Sequence, residues 1–348
     1  MLSISADKID LLFETVGSKQ PLYIPVDNNS GNADFARWSK GVKLSSALKT
    51  VRSAKDFFFP KAETLVNLRR EGKTVSVEDP RKDVEDFVVF GVRACDAKSF
   101  AIVDDVYLNM TPVDTYYKNR RDHGTVVTLA CNEPSKTCFC KAYGLDAAAP
   151  GGDVSCYLAD GKYFFEANTD KGKAFIDNVK SLLAESDDGV VKTQQESIRA
   201  KVDALPFSSL DLSKWTGKDM MKIFNSKIWD DLYSTCLGCG TCTYVCPTCM
   251  CFDVRDFDTG NGIKQFRCWD SCMFSDFTQM AAANPRLTQK ERFRQRFMHK
   301  LVYYPMAHND NFQCVGCGRC LENCPIHMNI VKVIKAYNES CEAEGGNN

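Results

Sequence analysis

The chain has 348 residues, 44% of them hydrophobic and 26% charged, with 44 basic side chains against 45 acidic ones and a net charge of −1. That length gives room for two domains, and the composition excludes wholesale disorder and fibrous repeats. The balanced charge argues against nucleic acid as a partner, and no apolar run is long enough for a membrane-spanning helix.

The segment Met1 to Val16 carries Asp7, Lys8, Asp10 and Glu14 where an export leader needs a long apolar stretch, so a cytoplasmic protein is expected. Short β-prone runs follow at Leu22 to Val26, Phe57 to Phe59, Phe87 to Val92, Thr125 to Leu129 and Tyr163 to Phe165. Helical stretches, for example Ala62 to Arg70 and Lys98 to Val106, fall between them. Strand–helix alternation predicts an α/β domain over 1–205 with a mainly parallel sheet. The polar stretch Glu185 to Lys214, with a helix near Gln194 to Val202 and a break at Pro206, marks the expected boundary. In the second domain, 206–340, a helix from Arg286 to Leu301 is expected, ended by Pro305, with a polar tail at 341–348. On that helix Phe293, Phe297 and Leu301 share one face. Arg292, Arg294, Arg296 and Lys300 fall on or near the other, which is either a solvated face or a docking surface for an acidic partner.

Cysteine is the residue out of proportion. There are 18, of which five lie between Cys95 and Cys156, twelve between Cys236 and Cys324, and one is Cys341. With no export leader expected, a disulfide framework does not fit, and metal is the explanation that does.

The runs Cys236-x2-Cys239-x2-Cys242-x3-Cys246-Pro and Cys314-x2-Cys317-x2-Cys320-x3-Cys324-Pro share one spacing. This is the spacing that holds 4Fe–4S cubes in bacterial ferredoxins, where three thiolates take three corners and the fourth cysteine reaches the other cube. The expected assignment is crossed: Cys236, Cys239, Cys242 and Cys324 on one cluster, and Cys314, Cys317, Cys320 and Cys246 on the other. Gly238, Gly240, Gly316 and Gly318 let the backbone pass close to the sulfides. Zinc prefers separated pairs of ligands, so iron and not zinc is expected. The overlapping Cys242-x3-Cys246-x2-Cys249 matches the spacing of radical enzymes that use S-adenosylmethionine, but those cysteines belong to the ferredoxin run. The wide separation of the runs resembles the α-helical ferredoxin domain.

Two further groups remain. Cys249, Cys251, Cys268 and Cys272 either ligate another cluster or pack around the first two as small apolar residues. Cys95 and Cys131 each follow a β-run directly. On parallel neighbouring strands both sulfurs would emerge at the carboxyl edge of the sheet, where open α/β sheets place ligands. With Cys138 and Cys140 from the next loop they make a site for a third 4Fe–4S cluster, with Arg93 and Asp96 tuning it and Cys156 as a spare ligand. No glycine-rich nucleotide fingerprint follows any strand, so no NAD or flavin is expected on this chain. The four histidines show no metal-ligand spacing.

Assembled, these residues resemble a family: the iron–sulfur electron-transfer subunits of anaerobic sulfite reductase and of sulfhydrogenase-type nickel–iron hydrogenases, where they are the beta subunits. The resemblance rests on Phe90 to Asp96, Cys131 with Thr137 to Cys140, Trp229, Cys246 to Cys251, Trp269 to Cys272 and the second run. It implies an electron-transfer subunit that links a flavoprotein partner, an NAD(P)H dehydrogenase, to a terminal reductase or hydrogenase partner. A reductase with its own small-substrate site at the front cluster is the alternative.

Overall fold

The computed structural model describes residues 1–47, 49–215 and 219–345. Its strands, in chain order, are β1 (Leu2–Ser5), β2 (Leu22–Asp27), β3 (Ala33–Arg37), β4 (Ala62–Glu71), β5 (Thr74–Glu78), β6 (Phe87–Val92), β7 (Gly124–Leu129), β8 (Val154–Ala159), β9 (Lys162–Ala167), β10 (Ala184–Glu185), β11 (Phe252–Asp258) and β12 (Gly262–Trp269).

Eight strands form a mixed sheet in the order β10-β1-β9-β8-β7-β6-β2-β3. Only its middle, β2, β6, β7 and β8, is parallel; β1, β3, β9 and β10 pair antiparallel, which corrects the expectation of a mainly parallel sheet. Strands β3 and β9 are hairpin partners of the parallel core, and β1 and β10 extend the edge beyond β9. Every residue of β6 is buried, as expected of an unbroken apolar run covered on both faces. One face is covered by helices Ile9–Gly17 and Asp170–Val179, through Leu12, Phe13, Val16 and Phe175. The other is covered by Phe58, Phe59 and the helices Ala94–Tyr107 and Thr115–His123.

Two stretches adopt another state than their local pattern suggested. Phe57 and Phe58 close a short helix, Lys55–Phe58, because Phe58 and Phe59 both bury fully against the sheet. The segment expected as a helix at Ala62 to Arg70 is strand β4, paired with β5 on one side and β12 on the other. Pairing on both sides overrides the helical reading of Leu65, Val66 and Leu68. The resulting four-stranded antiparallel sheet, β11-β12-β4-β5, crosses the division expected near residue 206.

The rest of the second half consists of short helices around an apolar core of Trp215, Trp229, Phe293, Phe297, Leu301 and Ile334. The helix Gln289–Met298 opens on a capping box between Thr288 and Glu291. A π turn over His299–Tyr303 then carries it into Tyr304–Ala307, so Pro305 does not end it. A π turn breaks the ordinary ladder where the proline has no N–H to give. The last helix, Ile330–Gly345, runs into the expected tail, whose residues 346–348 lie outside the described residues.

Candidate functional site

The two ferredoxin-type runs fold alike. Gly238, Gly240, Gly316 and Gly318 all take left-handed φ, at +66°, +72°, +62° and +74°. Gly240 and Gly318 each precede a short helix, Thr241–Tyr244 and Arg319–Glu322, and these two helices pack against each other. In each run the amide of the first glycine turns back on the first sulfur: Gly238 N–H donates to Cys236 Sγ and Gly316 N–H to Cys314 Sγ, both at 3.5 Å. Glycine at 316 is required by contact as well as by φ, since a Cβ there would lie 2.5 Å from the carbonyl of Phe139.

Between the runs lies a cavity lined by Cys246, Cys314, Cys317 and Cys320 together with Arg296 and Lys300. It thus joins the fourth cysteine of the first run to the first three of the second. Burial pushes the Cys317 thiol up to about 12, and raises Cys314 and Cys320 too. Such thiols stay protonated unless a metal displaces the proton. Cys242 has Cys236 and Cys239 for neighbours, and Cys324 packs on the same core as Cys236, Cys314 and Cys320. Cys239 is exposed.

In the front half, β6 and β7 are parallel neighbours. A bulge at Gly91, whose φ is +81°, shifts the register before Val92 and leads into the helix that carries Cys95 in its first turn. Cys131 follows β7 at the same edge. Cys131 and Cys138 are both among the charges acting on Cys140, and Cys131 and Cys317 are among those acting on Cys95. Cys156 sits inside β8, fully buried in the apolar layer with Val127 and Val154.

The front site and the second run are in direct contact. Phe139 N–H donates to Gly316 O at 2.8 Å. Asp96 and Arg319, each 1% exposed at the side chain, form a two-pronged ion pair at 2.5 and 2.8 Å. Burial opposes the Arg319 charge, but Asp96 and Cys317 more than restore it. Arg93 donates to the carbonyls of Leu129, Ala130 and Ala47.

Cations near the thiols were the residues that sequence patterns missed. Lys49 donates to Cys317 O at 2.8 Å, lies 3.8 Å from Cys138 Sγ and pairs with Glu322 at 2.9 Å. Lys55 donates to the carbonyls of Cys246 and Cys249 at 3.1 and 2.5 Å, with its ammonium 3.7 Å from the centre of the Trp269 ring. Neither lies in a motif; both come from the cysteine-free first 85 residues. Arg296 and Lys300 correct an expectation. Placed on a solvated or docking face by the pattern, they are 3% and 2% exposed and point at the thiols. The apolar stripe on this helix is wider than Phe293, Phe297 and Leu301, and the cations lie inside it.

Of the additional cysteines, Cys249 lies against Cys246, and Cys251 against Cys272. Cys251 and Cys272 flank the β11–β12 hairpin, at whose base Asp270 N–H donates to Cys251 O at 3.0 Å. Cys268 is opposite Asp253 on β12, near Arg255.

Residues 235–328, which contain both runs, match the family described as a 4Fe-4S dicluster domain. The chain is 32% identical over 294 residues to sulfhydrogenase 2 subunit beta of Pyrococcus furiosus, covering 84% of each chain. No solved structure matches it. Among the described residues no helix is long and apolar enough to cross a membrane.

Proposed function

The chain belongs to the family of sulfhydrogenase beta-type iron–sulfur subunits, and from that membership we propose that it relays single electrons between a flavin-bearing partner that uses NAD(P)H and a terminal catalytic partner. The observation that carries this reading is the cavity in which Cys246 meets Cys314, Cys317 and Cys320. Four thiols from two runs around one enclosed space suit a cube and match the crossed ligation of two-cluster ferredoxins. We assign Cys236, Cys239, Cys242 and Cys324 to one cube, Cys246, Cys314, Cys317 and Cys320 to a second, and Cys95, Cys131, Cys138 and Cys140 to a third. Cubes so held supply one-electron oxidation and reduction and no hydride chemistry.

The chain's own residues do the rest. The glycine amides at 238 and 316 orient sulfur, and the buried Phe139 and Ile330 keep water from the central cavity. The Asp96–Arg319 pair holds the helix that carries Cys95 on the second run, and the Phe139–Gly316 bond and Lys49 hold the 137–140 loop there. In this reading the central cavity lies between the front site and the exposed Cys239. Electrons then reach the relay at one of these ends and leave it at the other.

The test is anaerobic reconstitution of the full chain. About twelve irons per chain, four for each cube, are expected. Iron and sulfide near eight would remove the front site, and zinc in place of iron would defeat the proposal. Cys246→Ser should alter the resonance signal of the cube held by Cys314, Cys317 and Cys320; a change confined to the other run would undo the crossing.

A further inference from the structure

A buried cation without a carboxylate is expensive, because desolvation is repaid only by a nearby anion. Near the central cavity three cations have no carboxylate within ion-pair distance among the described residues. Lys55, Arg296 and Lys300 are 2%, 3% and 2% exposed. Their hydrogen bonds go to uncharged acceptors: Lys55 to the carbonyls of Cys246 and Cys249, Arg296 to Cys242 O at 3.5 Å, Lys300 to Thr248 Oγ1 at 2.9 Å. Among the described residues Arg296 Nε has no hydrogen-bond partner. By contrast, Lys49 and Arg319, where the front loop meets the second run, each have a carboxylate, Glu322 and Asp96, while Arg93 beside Cys131 has carbonyl partners only. The anions that face Arg296 and Lys300 are therefore cysteine sulfurs, and both side chains line the cavity of Cys246, Cys314, Cys317 and Cys320.

The two cations are not equivalent. The thiols that act most strongly on Lys300 are Cys246, Cys249 and Cys314. Arg296 is acted on first by Cys242 of the other run, then by Cys320. Lys300 thus belongs to the central cavity, and Arg296 lies between the two runs.

We propose that Lys300 is a potential-setting residue: its buried, carboxylate-free charge raises the reduction potential of the centre held by Cys246, Cys314, Cys317 and Cys320. The inference rests on the electron-transfer reading. A thiolate-bound cube gains negative charge on reduction, so a fixed cation beside it favours the reduced form. In a buried site that attraction is strong and poorly screened.

The experiment uses the full chain with reconstituted clusters, a potentiometric titration followed by electron paramagnetic resonance, and iron analysis on each sample. In Lys300→Met the iron content should stay at the wild-type value. One signal should reduce at a lower potential, by at least tenfold in its equilibrium or 59 mV for one electron. Lys300→Arg should keep the wild-type potential, and the Met shift should persist at high salt. Full iron with unchanged midpoints in Lys300→Met overturns the proposal. If the Met variant loses iron, Lys300→Gln, which can still reach Thr248 but carries no charge, is judged by the same rule; iron loss there too would make Lys300 a scaffold and overturn the proposal. A wild-type chain that binds no cube would instead defeat the electron-transfer reading, before any variant is made.

Discussion

Asp96→Ala tests whether the two halves of the chain are joined by charge at the thiol sites. Asp96 and Arg319 are each 1% exposed at the side chain, and Arg319 gives both of its terminal nitrogens to the carboxylate. With Asp96 gone, Arg319 keeps Thr50 O at 2.9 Å and a long contact to Thr50 Oγ1 at 3.5 Å. Neither bears charge. Breaking one side of a fully buried pair costs about 3–5 kcal/mol, because the remaining charge is stranded. At about 2 °C per kcal/mol, the low end for large domains, that is a fall of about 6–10 °C in melting temperature. The double variant Asp96→Leu/Arg319→Met removes both charges and should recover most of the loss, since apolar pairs of similar volume replace buried ion pairs with little cost. The assay is a melt of the cluster-free chain with reductant, at one scan rate because unfolding at this size is often irreversible. A fall under about 2 °C for Asp96→Ala, or a double variant no better than the single one, would refute the reasoning.

Other expectations follow from single positions. Gly316→Ala combines a φ of +62° with a Cβ 2.5 Å from the Phe139 carbonyl, so it should cost more than about 2 kcal/mol and expose the 137–140 loop to trypsin at Lys136 and Lys141. Gly144→Ala, at φ +70° with open space around it, is the control and should carry only the backbone penalty. Burial, followed by the charges of Lys300 and Arg286, holds His299 down at about 4. The unfolded imidazole protonates near 6.5, so between about 6.5 and 4 the unfolded chain binds more protons and stability falls as pH falls, by up to ~3 kcal/mol. His299→Gln should flatten that slope in melts taken at pH 5 and 7.5; an unchanged slope would assign it to other groups. The isolated, reconstituted chain should not bleach with NADH or NADPH until a flavoprotein is added, and bleaching without one would reveal a nucleotide site on this chain.

The sequence carried the parts whose chemistry depends on spacing along the chain. The two runs, their glycines, and the β6–Cys95 and β7–Cys131 junctions all repeat local patterns that sterics enforce. Strands β2, β6, β7 and β9 were readable for the same reason. The misreadings share another cause. Strand β4 is a strand because β12, almost 200 residues later, lies beside it, and no window around Ala62 contains that fact. Phe57 and Phe58 have strand propensity but close a helix because the sheet offers them a buried face. Arg296 and Lys300 look like a solvated face because charge normally seeks water. They are buried because the anions they serve come from Cys242 and Cys246 of the first run and Cys314 of the second, which no window around the helix contains.

This last case explains what the cysteine-free first 85 residues contribute. Dense thiols become an anionic region once they hold metal, and an anionic interior needs cations that a cysteine run cannot itself provide. Lys49 and Lys55 come from the N-terminal segment, and Arg296 and Lys300 from the helix between the runs. Lys49 and Arg319 are balanced by carboxylates, and both sit where the front loop meets the second run. They act as fasteners whose charge cancels. Among the described residues Lys55, Arg296 and Lys300 have no carboxylate at ion-pair distance, and they face the central cavity or its flank. The charges of Arg296 and Lys300 are met by thiols alone, so they act on whatever the thiols hold; burial works against the charge on Lys55. The same residue type thus does two jobs here, and the presence or absence of one carboxylate separates them. Giving Lys300 a carboxylate neighbour by Thr248→Asp should therefore mimic Lys300→Met, lowering the potential of the central centre while Lys300 remains in place. An unchanged potential with iron retained would mean that charge at this position does not reach the site.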